Sequence, residues 1–183
     1  MTHEQLWAPW RLEYIISDKR MPEPDKSLEM LPGADRTCFL CQCVPEQDDR
    51  QRLVIFRSQH SLTVLNRYPY NNGHLLIAPL EHLSRIDQLD DQQQVDLTRT
   101  IDLMIGLLEK TMRPQGFNVG LNLGQAAGAG LPEHLHWHVV PRWVGDTNFM
   151  PAIAGPNVIP QSLDALWEML AGELGKSDRG SDE

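Results

Sequence analysis

Between residues 53 and 174 the spacing of the apolar positions changes repeatedly, and each change marks an element. Leu53-Val54-Ile55-Phe56 and Leu62-Thr63-Val64-Leu65 are short β-rich runs parted by a polar turn over 57–61. The stretch 66–72 contains Pro69 and leads into the Asn71-Asn72-Gly73 turn signal. His74-Leu75-Leu76-Ile77-Ala78 reads as a third strand that stops at Pro79. From Asp90 or Asp91 to Met112 the period lengthens, with Val95, Leu97, Ile101, Met104, Ile105, Leu108 and Met112 recurring at helical steps. That spacing predicts one long amphipathic helix, ended by Pro114 and Gly116. A fourth strand is expected over 117–123 and a fifth over 135–140. A C-terminal helix is expected over 162–174, with Ser162 as N-cap and Leu163, Leu166, Trp167 and Leu170 buried. Strands that mostly follow one another, with a single long helix between the third and fourth, define an α+β fold. It is built on a mainly antiparallel sheet of about five strands.

Composition narrows the function without naming it. The 183 residues suffice for one domain with a real core, and their 41% apolar and 22% charged fractions are ordinary for a globular protein. Sixteen Lys and Arg against twenty-five Asp and Glu give a net charge of −9. Such a surface repels a nucleic acid polymer, whereas a small phosphorylated ligand can still find a pocket of reversed local field. No apolar run approaches the roughly 18–20 residues of a membrane span. Met1-Thr2-His3-Glu4-Gln5 lacks the basic start and apolar centre of a secretion signal, and all three cysteines fall within residues 38–43. The expectation is a cytoplasmic protein in a reducing compartment. Residues 1–36, with the aromatic cluster from Leu6 to Ile15 and a Pro-rich loop over 22–32, are expected to form an extension packing on the domain or a partner. Residues 37–174 form the domain, and 175–183 a disordered tail.

The chemistry concentrates in His134-Leu135-His136-Trp137-His138-Val139-Val140. Side chains alternate faces along a strand, so His134, His136 and His138 share one face while Leu135, Trp137 and Val139 can enter the core. Each imidazole has a polar nitrogen that needs a partner if buried, so three in a row point to a site rather than to packing. Just upstream, Gly124, Gly128 and Gly130 let backbone N–H groups approach an anionic phosphate closely. The run has neither a G-x-G-x-x-G nor a Gly-Lys-Ser/Thr, so it is no dinucleotide or Walker loop. Separately, Cys38-Phe39-Leu40-Cys41 is a C-x-x-C, open to reading as a zinc half-site, a redox pair or coincidence. His82 and His134 are the two nitrogen donors that could complete a closed tetrahedral zinc site.

The run 134–140 fits His-φ-His-φ-His-φ-φ (φ apolar) at every position, and on it the chain resembles the histidine-triad family. Residues 66–79 are similar to that family's loop-and-strand element, and the likeness covers roughly 38–143. The opening segment and the context of 133–138 look closest to the branch containing bacterial diadenosine tetraphosphate phosphorylases. The resemblance implies a nucleotidyl transferase or hydrolase that cleaves at the α-phosphate of purine nucleotides or dinucleoside polyphosphates through a covalent nucleotidyl-histidine. In that reading His136 is the nucleophile, and His138 contacts phosphate oxygens or protonates the leaving group. Asn66 meets the ribose, Asn122 lies near the α-phosphate, and the amides of Ala129, Gly130 and Leu131 face the phosphate. Between Asn122 and the triad the sequence is one residue longer than common members, and small residues stand where a polar side chain often meets the phosphate.

The resemblance further implies a structural zinc on Cys38, Cys41, His82 and His134, with no catalytic metal in the nucleotide pocket. It also implies a homodimer with a joined sheet. For His74 a place behind the site and a purely structural place both stay open. For Arg142 and Trp143, ligand contact and rim packing both stay open. Two other functions compete: a metallohydrolase in which the three histidines bind a catalytic metal, and a nucleotide-binding sensor without turnover.

Overall fold

The computed structural model of the chain describes residues 28–146 and 160–177. Its sheet has five antiparallel strands: β1 (Val54–Arg57), β2 (Ser61–Leu65), β3 (Leu75–Pro79), β4 (Gly116–Leu121) and β5 (Trp137–Arg142), in the order β1-β2-β3-β5-β4. The first three strands are successive neighbours, and β5 inserts between β3 and the edge strand β4. Strand β5, which carries His138 and directly follows His136, is therefore interior to the sheet and hydrogen-bonded on both sides.

Four α-helices accompany the sheet among the described residues: α1 (Phe39–Cys43), α2 (Asp49–Arg52), α3 (Asp91–Met112) and α4 (Leu163–Ser177). The long helix α3 starts at an Asp90 N-cap whose carboxylate accepts from the Gln93 N–H, while the Gln93 side chain accepts from the Asp90 N–H. It ends on Arg113 in the left-handed conformation (φ 51°), because the following Pro114 disfavours continued helix. Leu97, Met104, Leu107 and Leu108 form its buried stripe, whereas Val95 sits on the helical spacing yet faces solvent. Ser162 caps α4 by accepting from the Ala165 N–H at 3.2 Å, as expected. The helix runs to Ser177, three residues into the stretch assigned to the tail.

The core divides on the two faces of the sheet. One side packs Leu65, Leu75, Ile77, Leu135 and Val139 against α3 and α4. The other packs Leu62, Val64, Leu76 and Ala78 against α1 through Leu40, Cys38, Cys41 and Cys43. Leu28 is buried, and its carbonyl accepts from the Arg36 guanidinium at 3.5 Å. Helices α1 and α2 lie where the apolar pattern assigns no element, and at five and four residues they are too short to show a period. Strand β5 begins two residues later than expected. The Leu135 N–H donates to the Leu83 carbonyl at 2.6 Å instead of joining the ladder, which is how the chain places His134 outside the sheet. The aromatic segment 6–15, residues 22–27 of the Pro-rich stretch and tail residues 178–183 lie outside the described residues.

Candidate active site and metal cluster

The alternation expected of the histidine run holds. Leu135 and Val139 enter the core beneath α3 and α4, with Trp137 packed against it, and the histidines face the other way. His136 is 7% exposed, and its Nδ1–H donates to the backbone carbonyl of His134 at 2.8 Å. A carbonyl only accepts, so this bond fixes the proton on Nδ1 and leaves the lone pair on Nε2. Burial pulls the His136 pKa below its ordinary value, so the ring is neutral at pH 7. A neutral imidazole with its lone pair on Nε2 is a competent nucleophile.

His138 takes the opposite tautomer, and the reason is His74. The Tyr70 backbone N–H donates to His74 Nδ1 at 3.0 Å, and the Asn66 side-chain amide approaches the same atom at 3.2 Å. The His74 proton is thereby held on Nε2, which donates to His138 Nδ1 at 2.9 Å. A neutral His138 then has its own proton on Nε2. His74 is 1% exposed, and burial, with smaller contributions from His138 and His136, pushes its pKa down to about 3. It cannot take up a second proton near neutrality, so the direction of the bond does not reverse. The rings of His136 and His138 meet edge to face at 5.1 Å. Of the two places left open for His74, the geometry puts it behind the site. The readable signal was a histidine following a Gly turn into a buried strand.

The remaining expected residues are placed unevenly. Asn66 acts as a turn former, its Oδ1 accepting from the Tyr68 N–H at 2.9 Å, while its amide nitrogen reaches His74. Asn122 comes directly after the last β4–β5 ladder pair, Leu121 with Trp137. In the glycine loop, Gly124 and Gly128 take positive φ, and the Ala129 N–H turns inward to the Gly124 carbonyl at 3.4 Å. Among the described residues the Gly130 and Leu131 amides donate to no backbone carbonyl. Arg142 is held bidentate by Asp146 (2.6 and 2.9 Å), and Trp143 Nε1 donates to the Arg113 carbonyl, which is rim packing for both.

The first histidine of the run belongs to a different centre. His134 is fully buried, with Nδ1 lying 3.3 Å from Cys38 Sγ and 3.5 Å from Cys41 Sγ. His82 Nδ1 is 3.2 Å from Cys41 Sγ, and the four donor atoms lie within 4.8 Å of one another. Zn–S of ~2.3 Å and Zn–N of ~2.0 Å at tetrahedral angles require S···N separations of about 3.5 Å. The His134 Nε2–H donates to the Pro79 carbonyl at 3.0 Å, leaving the Nδ1 lone pair toward the sulfurs. Donor types, spacing and tautomer all fit one closed tetrahedral ion. The two thiols share a proton: Cys38 is pushed up by its contact with Cys41 and by burial, while Cys41 is pulled down by accepting from Cys38. Cys43 stands apart, 3.8 Å from the Arg52 carbonyl, with its thiol pushed up to about 11 by burial. Among the described residues this is the one cluster able to hold a metal, and neither His136 nor His138 belongs to it. The three histidines therefore do not converge on a common ion.

Comparison with known proteins agrees with the geometry. Residues 47–144 match the HIT domain. An AP-4-A phosphorylase of Mycobacterium tuberculosis is 40% identical over 170 residues, covering 93% of this chain and 84% of that protein. Among solved structures, a hypothetical histidine triad nucleotide-binding protein from Sulfolobus tokodaii shares the fold at a TM-score of 0.61 and 20% identity, over 78% of this chain and 95% of that one. A zinc-bound histidine triad family protein from Mycobacterium smegmatis does so at 0.56 and 20% identity, over 70% and 87%. Among the described residues no helix is long and apolar enough to cross a membrane.

Proposed function

The chain belongs to the HIT domain family, and from that premise we propose that it is a nucleotide phosphorylase or hydrolase acting on purine dinucleoside polyphosphates such as diadenosine tetraphosphate. The observation that carries this reading is the His136 Nδ1–H bond to the His134 carbonyl, which leaves Nε2 free to attack phosphorus. Nε2 forms a bond to the α-phosphorus as the bond to the bridging oxygen breaks, and the electron pair departs with the leaving nucleotide. The His134 carbonyl stabilises the positive charge that develops on the ring. The Nε2–H of His138 donates to the departing or phosphoryl oxygen, and the Gly130 and Leu131 amides meet the phosphoryl oxygens. Inorganic phosphate then displaces His136 to give a nucleoside diphosphate, or water displaces it to give a monophosphate. Asn66 and Asn122 bind the ribose and the region of the α-phosphate.

Cys38, Cys41, His82 and His134 would hold one structural zinc, which would fix the start of the nucleophile segment and take no part in bond making. The exposed edge strand β4 supports a homodimer with sheets joined along that edge. Clustered free cysteines suit a cytoplasmic setting, and residues 37–174 correspond to the catalytic unit. The test is incubation with α-labelled diadenosine tetraphosphate, with and without phosphate, followed by rapid quench. Label should be trapped on the native chain and absent from a folded His136→Ala variant. Label that survives in that variant would remove His136 from its role.

A further inference from the structure

Gly120 faces His138 across the ladder. Strand β5 has Leu76 of β3 opposite His138 on one side and Gly120 of β4 opposite it on the other. Directly paired residues share a face, so a side chain at position 120 would rise beside the imidazole. Its Cβ would stand about 5 Å from that of His138. Leu76 is buried among the core residues of that face, whereas Gly120 is exposed.

Neither the backbone nor the packing explains a glycine there. Gly120 has no positive φ, unlike Gly73, Gly124 and Gly128, and a Cβ built on it meets nothing within 4 Å among the described residues. A glycine inside a strand weakens it, and one that serves no bend marks a place where a ligand or another chain comes close. The exposed neighbours Asn118 and Val119 carry side chains, so the gap is confined to the position beside the histidine.

The two edges of the His138 ring identify what comes close. The Nδ1 edge is taken at 2.9 Å by His74, which leads into β3. The Nε2 edge therefore turns away from β3. An oxygen that accepts from Nε2–H sits within about 3 Å of that atom, in the volume that position 120 borders.

We propose that Gly120 is a specificity-determining residue: the side chain it lacks leaves room beside His138 for the phosphate chain of a dinucleoside polyphosphate. The inference rests on the nucleotidyl-transfer reading above and assigns part of its substrate preference to one bare position on β4. A single phosphoryl group needs little of that room, and a chain of several needs more.

The experiment compares diadenosine tetraphosphate with adenosine 5′-phosphoramidate, which shares the adenylyl half and carries a single phosphoryl group. For Gly120→Val the ratio of kcat/KM values, tetraphosphate over phosphoramidate, should fall about tenfold or more, with Gly120→Ala between it and the native chain. Gly116, the other glycine of β4 with open space around it, lies opposite Arg142, and Gly116→Ala should leave the ratio unchanged. Both Gly120 variants should melt no lower than the native chain and elute at the same size. A native ratio in a folded Gly120→Val protein, or equal losses on both substrates, would overturn the proposal. So would a lower melting temperature or a changed oligomeric state, which would give the glycine to the fold or to contact between copies. A native protein that turned over neither substrate would instead refute the nucleotidyl-transfer reading, and this proposal with it.

Discussion

His136 donates its Nδ1 proton to the backbone carbonyl of His134 at 2.8 Å, while the ring of His134 stands among Cys38, Cys41 and His82. The cluster thus sets the position of the carbonyl that orients the nucleophile, because the ring it holds and the carbonyl belong to the same residue. The native chain is expected to hold about one zinc, and replacing one of the four ligands breaks the closed tetrahedral set and should weaken metal binding strongly. Cys41→Ser should therefore lose metal on dialysis and lower kcat more than it raises KM. Cys43→Ser should retain metal, because that thiol faces the Arg52 carbonyl. Metal content by mass spectrometry on the two variants checks this, and equal retention would separate the cluster from Cys41.

The buried His74 makes stability pH-dependent in a stated direction. Its folded pKa of about 3 lies below the model-peptide value of ~6.5, so below the latter the unfolded chain binds a proton that the folded chain refuses. The stabilisation is complete above pH ~6.5 and declines as the pH falls toward about 3. One such group contributes a slope approaching ~1.4 kcal/mol per pH unit inside that window. His136, also shifted down by burial, adds in the same sense. Urea unfolding of the native chain and of His74→Gln at pH 7, 6 and 5 should show a shallower decline in the variant. Parallel declines would mean that His74 titrates normally.

Asp146 is a clasp on the far end of β5. Its carboxylate accepts from Arg142 Nε and Nη2, from the Asn71 amide and from the Trp143 N–H, and the Arg142 guanidinium beside it holds its pKa down to about 2. Asn71 belongs to the turn that supplies Tyr70 and His74, and also donates to the Pro141 carbonyl. Asp146→Asn removes the charge from a largely covered carboxylate whose Arg142 partner is half-exposed, and should cost about 1–2 kcal/mol. Thermal melting should fall by several degrees, with Asp146→Glu intermediate. A melting point unchanged in Asp146→Asn would show the clasp to be ornamental.

Much of this was legible in the sequence because it depends on periodicity. Alternation in 134–140 separated ring-bearing from core positions, and the three- and four-residue steps before Met112 located α3 to within a residue. The Cys38-x-x-Cys41 pair with His82 and His134 converged as the spacing and the family likeness implied. What stayed hidden depends on partners far apart in sequence. Nothing local says that His74 donates to a ring 64 positions later, or that Asp146 reaches back to Asn71. Helix α1, which carries Cys41 and has Cys38 as its N-cap, is too short to leave a pattern. The late start of β5 follows from one tertiary bond, Leu135 to Leu83.

Gly73 precedes His74 and is constrained twice over. Its φ of +80° lies in the region that disfavours side chains, and a Cβ built there would sit 2.8 Å from Met112 Sδ and 2.9 Å from Pro141 Cγ. The thioether end of Met112 can move aside, but the ring of Pro141 is fixed in β5, so the collision cannot be relieved from one side alone. A left-handed conformation costs an L-residue roughly 1–2 kcal/mol, and overpacking adds roughly 1–3 kcal/mol. Gly73→Ala should therefore destabilise by about 2–5 kcal/mol on those scales. Met112→Ala in the same chain should not restore it. Because the Asn66 N–H donates to the His74 carbonyl and the His74 N–H to the Asn71 carbonyl, the strain acts where the His138 tautomer is set. Activity should fall along with the melting temperature rather than after it. A Gly73→Ala protein that melts within a degree of the native chain would show that the turn relaxes freely, and that neither Pro141 nor the positive φ constrains it.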